Sequence, residues 1–499
     1  MKNIAIITTS LNSGGAERIA GLLSKELSNY YNVYLFLLST ENIIYEYGGT
    51  IVDIGVDCPL YEHLIKRYKE YYKIDVAISF LEIMNFANIR TKGKEKVIIS
   101  ERCVQSLIEP SLDAQTYKMK KYYNYADVIV PCAYGVQYDL EKNYSLNNYM
   151  RVIYNFINKE KIKDLANCEL DKEIRDFIGD ADFFLNIGRL DPQKNQLRII
   201  EAFEEFYKKN NKYKLIILGS GRSKKELEAA ITRYNLTDKV KLLPYENNPF
   251  KYMSKAKALL LASRYEGLPN AVLEAMTVGC PVIATDCLSG PRELLGGIND
   301  YNEKIDSILI LDRGILVPFF SNDNNLVLDD FISAMNIITK DDDLVSTIIN
   351  NQRNYMERYS NNKIAKEWIE LIDNNVFNYK YINADDFDKA KRVLIYGKGL
   401  VGTMDYHIFR DLGINIDGFV VTDNSSNESQ YLGLPLYSVD NMPFDNDDVQ
   451  FVLGAIEETQ SGMLRSLNEN NYFNIVEPFI EPTEKSRSLV KEWERKKAK

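Results

Sequence analysis

Two glutamates eight positions apart, Glu266 and Glu274, flank the segment Gly267-Leu268-Pro269-Asn270-Ala271, and these are the residues of this chain best suited to chemistry. Gly267 and Pro269 break regular structure, which puts Glu266 on a tight loop. Asn270 reads as the N-cap of a helix through Ala-Val-Leu-Glu-Ala-Met, so Glu274 falls in its first turns. The apolar run 258–263 just before reads as a buried strand. A helix start offers unbonded N–H groups that hold an anion such as phosphate, and carboxylates accept hydrogen bonds from hydroxyls. A ligand with both phosphate and hydroxyl groups suits this pair, and a nucleotide sugar has both. Taken singly, either glutamate also reads as an acidic residue favouring the helix dipole, worth about 0.3–1 kcal/mol.

Three further groups belong beside it. The segment Asn186-Ile-Gly-Arg-Leu-Asp-Pro-Gln-Lys-Asn195 closes a predicted strand and holds Arg189 and Lys194 around a Pro192 turn. A guanidinium fork and an ammonium point charge together grip a diphosphate, although the segment alone also reads as a solvated charged loop. Near the N-terminus, Leu11-Asn-Ser-Gly-Gly-Ala-Glu-Arg18 follows the first predicted strand. There Gly14 and Gly15 let backbone approach a ligand ahead of a helix, or simply make a turn. Ser100-Glu101-Arg102, at another strand end, is the candidate for binding an acceptor, with a structural ion pair as the plain alternative.

The elements that must carry these residues alternate. Strand candidates 3–9, 32–39, 50–55, 75–80, 96–101, 127–132 and 151–155 are nearly continuous apolar runs, as parallel strands covered on both faces should be. A polar helical stretch, 159–179, leads to a second series with strands at 183–188, 214–219, 240–243, 258–263, 281–285 and 314–317, closed by helices up to residue 373. The expected fold class is α/β, with two tandem Rossmann-like domains facing a cleft and ligand crevices at the strands' carboxyl ends. The expected boundaries are 1–165 and 166–378. A smaller Rossmann-like domain (388–482) and a charged C-terminal helix (483–499) follow. In the small domain, Gly397, Gly399 and Gly402 lie between a strand and a helix, and Asp423 ends the second strand. That spacing fits a dinucleotide fingerprint, although the unit is short for a dehydrogenase and a packing or docking module is the alternative.

Composition narrows the class. The net charge of −10 argues against a general nucleic-acid binder. Cysteines 58, 103, 132, 168, 280 and 287 show no CxxC spacing and read as buried free thiols of a reducing compartment. With only His63 and His407, a His-based zinc site or triad is not expected. The chain has no apolar run of membrane-spanning length, and a cytoplasmic protein is expected. Two basic, aromatic stretches, 63–73 and 117–123, could dock on anionic lipid, or be solvated helix faces with their tyrosines packed inward.

Together, residues 14–18, 188–195, 218–221 and 266–276 resemble the GT-B-fold, family-4 retaining glycosyltransferases, and the last of these segments contains that family's Glu-x7-Glu pattern. The resemblance covers residues 1–375 and is strongest in the second domain. It implies that Arg189 and Lys194 bind the donor diphosphate, that Glu274 holds the ribose, and that Glu266 faces the donor sugar. It also implies that Gly267, Leu268, Pro269, Asn270 and Ala271 meet sugar and phosphate through their backbone, that Gly15 approaches the phosphates, and that Tyr245 lies by the nucleobase. The implied partners are a nucleotide sugar, with UDP as the favoured nucleotide, and a glycan or lipid-linked acceptor. No cofactor and no metal are required. Retention in this family is explained by same-face attack, with the leaving phosphate oxygen taking the acceptor proton. The alternatives are a catalytically silent scaffold of the same shape, or a nucleotide-dependent oxidoreductase function in the C-terminal module.

Overall fold

The computed structural model describes residues 1–12, 14–55, 61–107, 119–146, 148–287, 289–298, 300–301, 304–319, 326–374, 391–411, 414–422, 428–454 and seven positions between 463 and 475. Three sheets organise them. The first contains β1 (Asn3–Thr8), β2 (Asn32–Leu37), β3 (Thr50–Asp53), β4 (Val76–Phe80), β5 (Lys96–Glu101) and β6 (Val128–Pro131), in the order β3-β2-β1-β4-β5-β6, all parallel. Ile4, Ala5, Ile6 and Ile7 in β1 and Val97, Ile98 and Ile99 in β5 are fully buried. Both faces of these strands are covered, which explains the lack of alternation in their sequence. The helix Gly15–Leu27 packs against this sheet through Ile19, Ala20, Leu23 and Leu27, one stripe at helical spacing.

The second sheet contains β7 (Asp182–Ile187), β8 (Tyr213–Leu218), β9 (Val240–Leu243), β10 (Ala258–Leu261), β11 (Val282–Thr285), β12 (Leu309–Leu311) and β13 (Gly314–Val317), in the order β12-β13-β11-β10-β7-β8-β9. Its strands are parallel except β12, which pairs antiparallel with β13 and was not legible in the sequence.

Two expectations are corrected. Residues 151–155 are not a strand. The segment follows β6, with the Arg151 N–H bonding to the Ile129 carbonyl at 3.2 Å and the Ile153 N–H to the Pro131 carbonyl at 3.1 Å. It then leaves the sheet, because Tyr154 and Asn155 bond to the other unit. The stretch 159–179 is two helices, Lys159–Ala166 and Lys172–Ile178, broken by a short turn.

The late helix Asn361–Asp373 packs back on the first sheet. Its buried stripe is Ile364, Ala365, Trp368, Leu371 and Ile372, and Trp368 meets the ring of Phe80 at 6.3 Å. Lys96, buried in β5, donates to the Leu371 carbonyl at 2.6 Å and to the Asn374 side chain. One apolar cluster therefore runs from Ile4 and Ile6 through Trp368 to Leu185 and Val282, spanning both sheets.

The third sheet contains β14 (Arg392–Tyr396), β15 (Gly418–Val421), β16 (Gln430–Tyr431), β17 (Leu434–Ser438) and β18 (Val449–Leu453), in the order β16-β17-β15-β14-β18. It is parallel except for the β16–β17 hairpin. The expected C-terminal helix 483–499 lies outside the described residues. Cys132, Cys280 and Cys287 are buried free thiols as expected, whereas Cys103 is half-buried and Cys168 is exposed; Cys58 lies outside the described residues.

Candidate active site

The site begins where β10 ends. Ser263 is fully buried, and its Oγ donates to Glu266 Oε1 at 2.6 Å. The same oxygen receives Lys194 Nζ at 2.6 Å. Glu266 is therefore a buried carboxylate held by one hydroxyl and one ammonium, which offsets its desolvation. The next residue can only be glycine: a Cβ at Gly267 would stand 2.0 Å from the Arg102 carbonyl oxygen and 2.7 Å from Cys132 Sγ, both on the other unit. The loop is thus pressed against the first unit at this point. Leu268 is buried, and Pro269 takes an extended conformation at the cap of the helix Asn270–Val278. This corrects the reading of Asn270 as N-cap. Asn270 is the first helical residue, and its Oδ1 instead accepts from Asn155 Nδ2 at 2.6 Å, across the boundary between units. Asn155 Nδ2 also donates to the Leu268 carbonyl at 3.0 Å. Ala271 follows in the same first turn, partly buried against the shared core.

The loop after β7 lies alongside. Gln193 ties it down, with its Nε2 donating to the Tyr265 carbonyl at 2.9 Å and its own carbonyl accepting from the Arg264 N–H at 2.8 Å. Arg189 is exposed and held only by a 3.1 Å bond from Nη2 to Gln193 Oε1. Lys194 points inward to Glu266, so the two basic residues reach the cleft from different depths.

From the first unit comes the helix Gly15–Leu27. Gly14 takes φ +89°, a left-handed conformation in which a Cβ would also meet the Glu17 carboxylate at 2.3 Å. A Cβ on Gly15 would lie 3.3 Å from Asn270 Nδ2, so the first residues of two helices from two units lie close together. Their dipoles put partial positive charge on both sides of the gap, and Arg189 and Lys194 add to it. Carboxylates now supply the balancing charge. Glu17, bonded by Thr9 Oγ1 at 3.3 Å, has its carboxyl pushed above the usual range by burial, against the pull of its backbone hydrogen bond, Thr9 and Arg189. Arg18 Nη1 donates to Glu274 Oε1, and this carboxylate raises the guanidinium's already high pKa further.

The acceptor-side candidates sit deeper than their sequence position suggests. Glu101 is 1% exposed and accepts from Gln105 Nε2 at 2.7 Å and Tyr123 OH at 2.9 Å. Burial pushes its carboxyl pKa up. Arg102 reaches Asn155 Oδ1 and Ser100 Oγ and lies over the Phe80 ring, and its desolvation lowers its pKa. Arg102 braces the junction under Gly267, whereas Glu101 bonds within the first unit. Tyr245 is 57% exposed at the cleft, with its N–H on Ser220 Oγ at 3.2 Å.

In the third unit, a Cβ on Gly397 would stand 2.7 Å from the Gly454 carbonyl, and one on Gly402 would stand 2.1 Å from the Gly397 carbonyl. Those two glycines serve strand-to-helix packing, while Gly399 faces open space. Asp423 lies outside the described residues. In the stretch 63–73, Tyr68 and Tyr72 pack on Phe36, and Lys69 is buried on Glu95 at 2.8 Å, leaving Arg67, Tyr71 and Lys73 exposed. Of 117–123, the described residues Met119, Tyr122 and Tyr123 are buried.

Sequence reasoning missed Arg18, Glu17, Asn155, Ser263 and Glu293 as site residues. The first two stand in the quoted 14–18 motif and could have been found there. Glu293 carried no signal. Its buried carboxylate accepts from the Tyr134 and Gly135 N–H groups, both at 3.0 Å, at the start of the first-unit helix Tyr134–Tyr144, and from Tyr154 OH at 2.9 Å and Tyr301 OH.

Two Rossmann-like sheets that meet through helix starts at their carboxyl ends, with a last helix crossing back, form the GT-B arrangement. Residues 169–299 match the family model of the glycosyl transferases group 1. An uncharacterized glycosyltransferase of Methanocaldococcus jannaschii is 34% identical over 276 residues, covering 52% of this chain and 66% of its own length. The N-acetylgalactosamine-N,N'-diacetylbacillosaminyl-diphospho-undecaprenol 4-alpha-N-acetylgalactosaminyltransferase of Campylobacter jejuni is 29% identical, covering 74% of this chain and 100% of its own length. The structure of Anabaena HepE in complex with UDP superimposes with a TM-score of 0.59 at 16% identity, over 74% of this chain and 99% of that one, a likeness of fold. The class supported is a glycosyltransferase of group 1.

Proposed function

We propose that this chain is a retaining, metal-independent glycosyltransferase of family 4. It would move a hexosyl group from a nucleoside-diphosphate sugar, with UDP as the carrier, to a lipid-linked or cell-surface glycan. The observation that carries this reading is the closeness of two helix starts at Gly15 and Asn270, with Arg189, Lys194 and two carboxylates in the same region. A diphosphate satisfies the free N–H groups and both cations, and no metal charge is needed to offset it. Glu274 suits the ribose hydroxyls. Glu266 faces the sugar from a loop whose backbone reaches the same ligand, and its carboxylate stabilises positive charge developing at the anomeric carbon. The acceptor attacks from the face that the diphosphate leaves, and a phosphate oxygen takes its proton, so no protein base is required.

The acceptor class is supported by the diphospho-undecaprenol named for the Campylobacter jejuni relative, and the carrier by the UDP bound to Anabaena HepE. No helix among the described residues is long and apolar enough to cross a membrane. We place the chain's contact with the cytoplasmic membrane face at exposed cations such as Arg67 and Lys73. Liposome co-sedimentation at low salt tests the docking, and its absence removes it. Incubation with a panel of nucleotide sugars, without acceptor, tests the activity. One donor should be slowly hydrolysed, and a panel left wholly intact contradicts the reading.

A further inference from the structure

Arg18 reaches across the cleft from the first turn of the helix Gly15–Leu27 to Glu274, in the first turns of the helix Asn270–Val278. The Glu274 side chain is 7% exposed, and Arg18 is its hydrogen-bonding partner among the described residues. The guanidinium occupies Oε1 only. Oε2 is the oxygen that this bond does not take. A carboxylate this buried needs a partner of opposite charge, and the pair also fixes its orientation. That counter-charge belongs to the other unit, so the carboxylate is fully set up only when the two units are together. The same helix start places Gly15 against Asn270, so the two contacts form or break as one.

We infer that Arg18 is a positioning residue for the donor's ribose. It holds the Glu274 carboxylate in place from the other unit, with one oxygen aimed at the hydroxyl pair. This rests on the reading of Glu274 as the ribose ligand. Arg18 acts through Glu274 and need not touch the nucleotide. Its removal should therefore abolish the contribution of the ribose hydroxyls and leave the diphosphate contribution in place. Hydrogen bonds to a charged group are worth about 1.5–3 kcal/mol, which corresponds to about 10- to 150-fold in affinity.

The experiment is calorimetric titration of the full chain with UDP and with 2′,3′-dideoxy-UDP, for wild type, Arg18→Ala, Arg18→Lys, Glu274→Gln and the Arg18→Ala/Glu274→Gln double variant. Thermal melting of each variant confirms folding. Wild type should prefer UDP over the dideoxy form by at least tenfold. Arg18→Ala should lose that preference with dideoxy-UDP affinity unchanged, Arg18→Lys should restore part of it, and the double variant should bind like Glu274→Gln. Equal weakening of both nucleotides by Arg18→Ala, additive with Glu274→Gln, would overturn the inference and make Arg18 an independent phosphate contact. If Glu274→Gln itself keeps the ribose preference, the ribose reading of Glu274 fails, and the inference fails with it.

Discussion

At the scale of single residues, the two cations assigned to the diphosphate differ in what they do before any ligand arrives. Arg189 is exposed and held by one neutral hydrogen bond. Lys194 already neutralises the buried Glu266. Both Arg189→Ala and Lys194→Ala should lower turnover by about 100-fold or more, the usual cost of losing a preorganised contact to the charge that develops. Their stabilities should part. Arg189→Ala should melt like wild type, whereas Lys194→Ala should lose about 1–3 kcal/mol because a buried carboxylate is left unpaired. Denaturant titration beside steady-state kinetics separates the two effects, and identical melting would argue against the Lys194–Glu266 pair. These two cations and both glutamates were legible because their types and strand-end positions point to one chemistry. Asn155 and Glu293 were not. Each is an ordinary polar residue locally, and its tie across the units runs through groups such as those 113 and 159 positions away in the chain.

At the scale of elements, the loop between β10 and the helix Asn270–Val278 does two jobs at Gly267. On the proposed function it would bring backbone to the ligand, and it seats the second unit on the Arg102 carbonyl of the first. Gly267→Ala forces backbone against backbone, which no rotamer change relieves. We expect it to cost about 1–3 kcal/mol and to depress turnover more than nucleotide affinity, because the units can no longer close fully. Turnover equal to wild type would remove the seating role. The parallel strands were read correctly because burial on both faces leaves continuous apolar runs. The short antiparallel β12 and the irregular 151–155 segment escaped for the opposite reason. Three half-exposed residues make β12, and a strand-like run was diverted by the side chains it sends to the other unit. Asn270 has a capping residue's chemistry, but the Asn155 amide claimed its oxygen first.

At the scale of the whole molecule, two α/β units are joined by one apolar cluster and by polar ties at the mouth and rim of the cleft. One rim tie titrates within reach of experiment. Glu46 is paired with Lys161, on the helix Lys159–Ala166 that packs against the helix Asn270–Val278, and with Lys25 at 2.8 Å, and these bonds lower its carboxyl from 4.5 to about 2. Because the folded value is depressed, the tie's full stabilisation is present above pH 4.5 and fades as the pH falls toward 2. Glu46→Gln should therefore cost about 0.2–1 kcal/mol at neutral pH, a small effect because the pair is exposed and screened, and nothing near pH 2. A difference that persists at the acid end would contradict the assignment. The organisation of the chain was legible as repeated β/α alternation. The closure of its units was not, since closure depends on contacts between distant segments. The central claim is that a nucleotide's diphosphate lies between the helix starts at Gly15 and Asn270. A crystal structure with UDP bound tests it most directly. The account predicts phosphate oxygens at about 2.7–3.2 Å from Arg189, Lys194 and backbone N–H groups among Gly267, Leu268, Asn270 and Ala271, with the ribose on Glu274. A nucleotide found only at residues 397–402, with this cleft left empty, would contradict it.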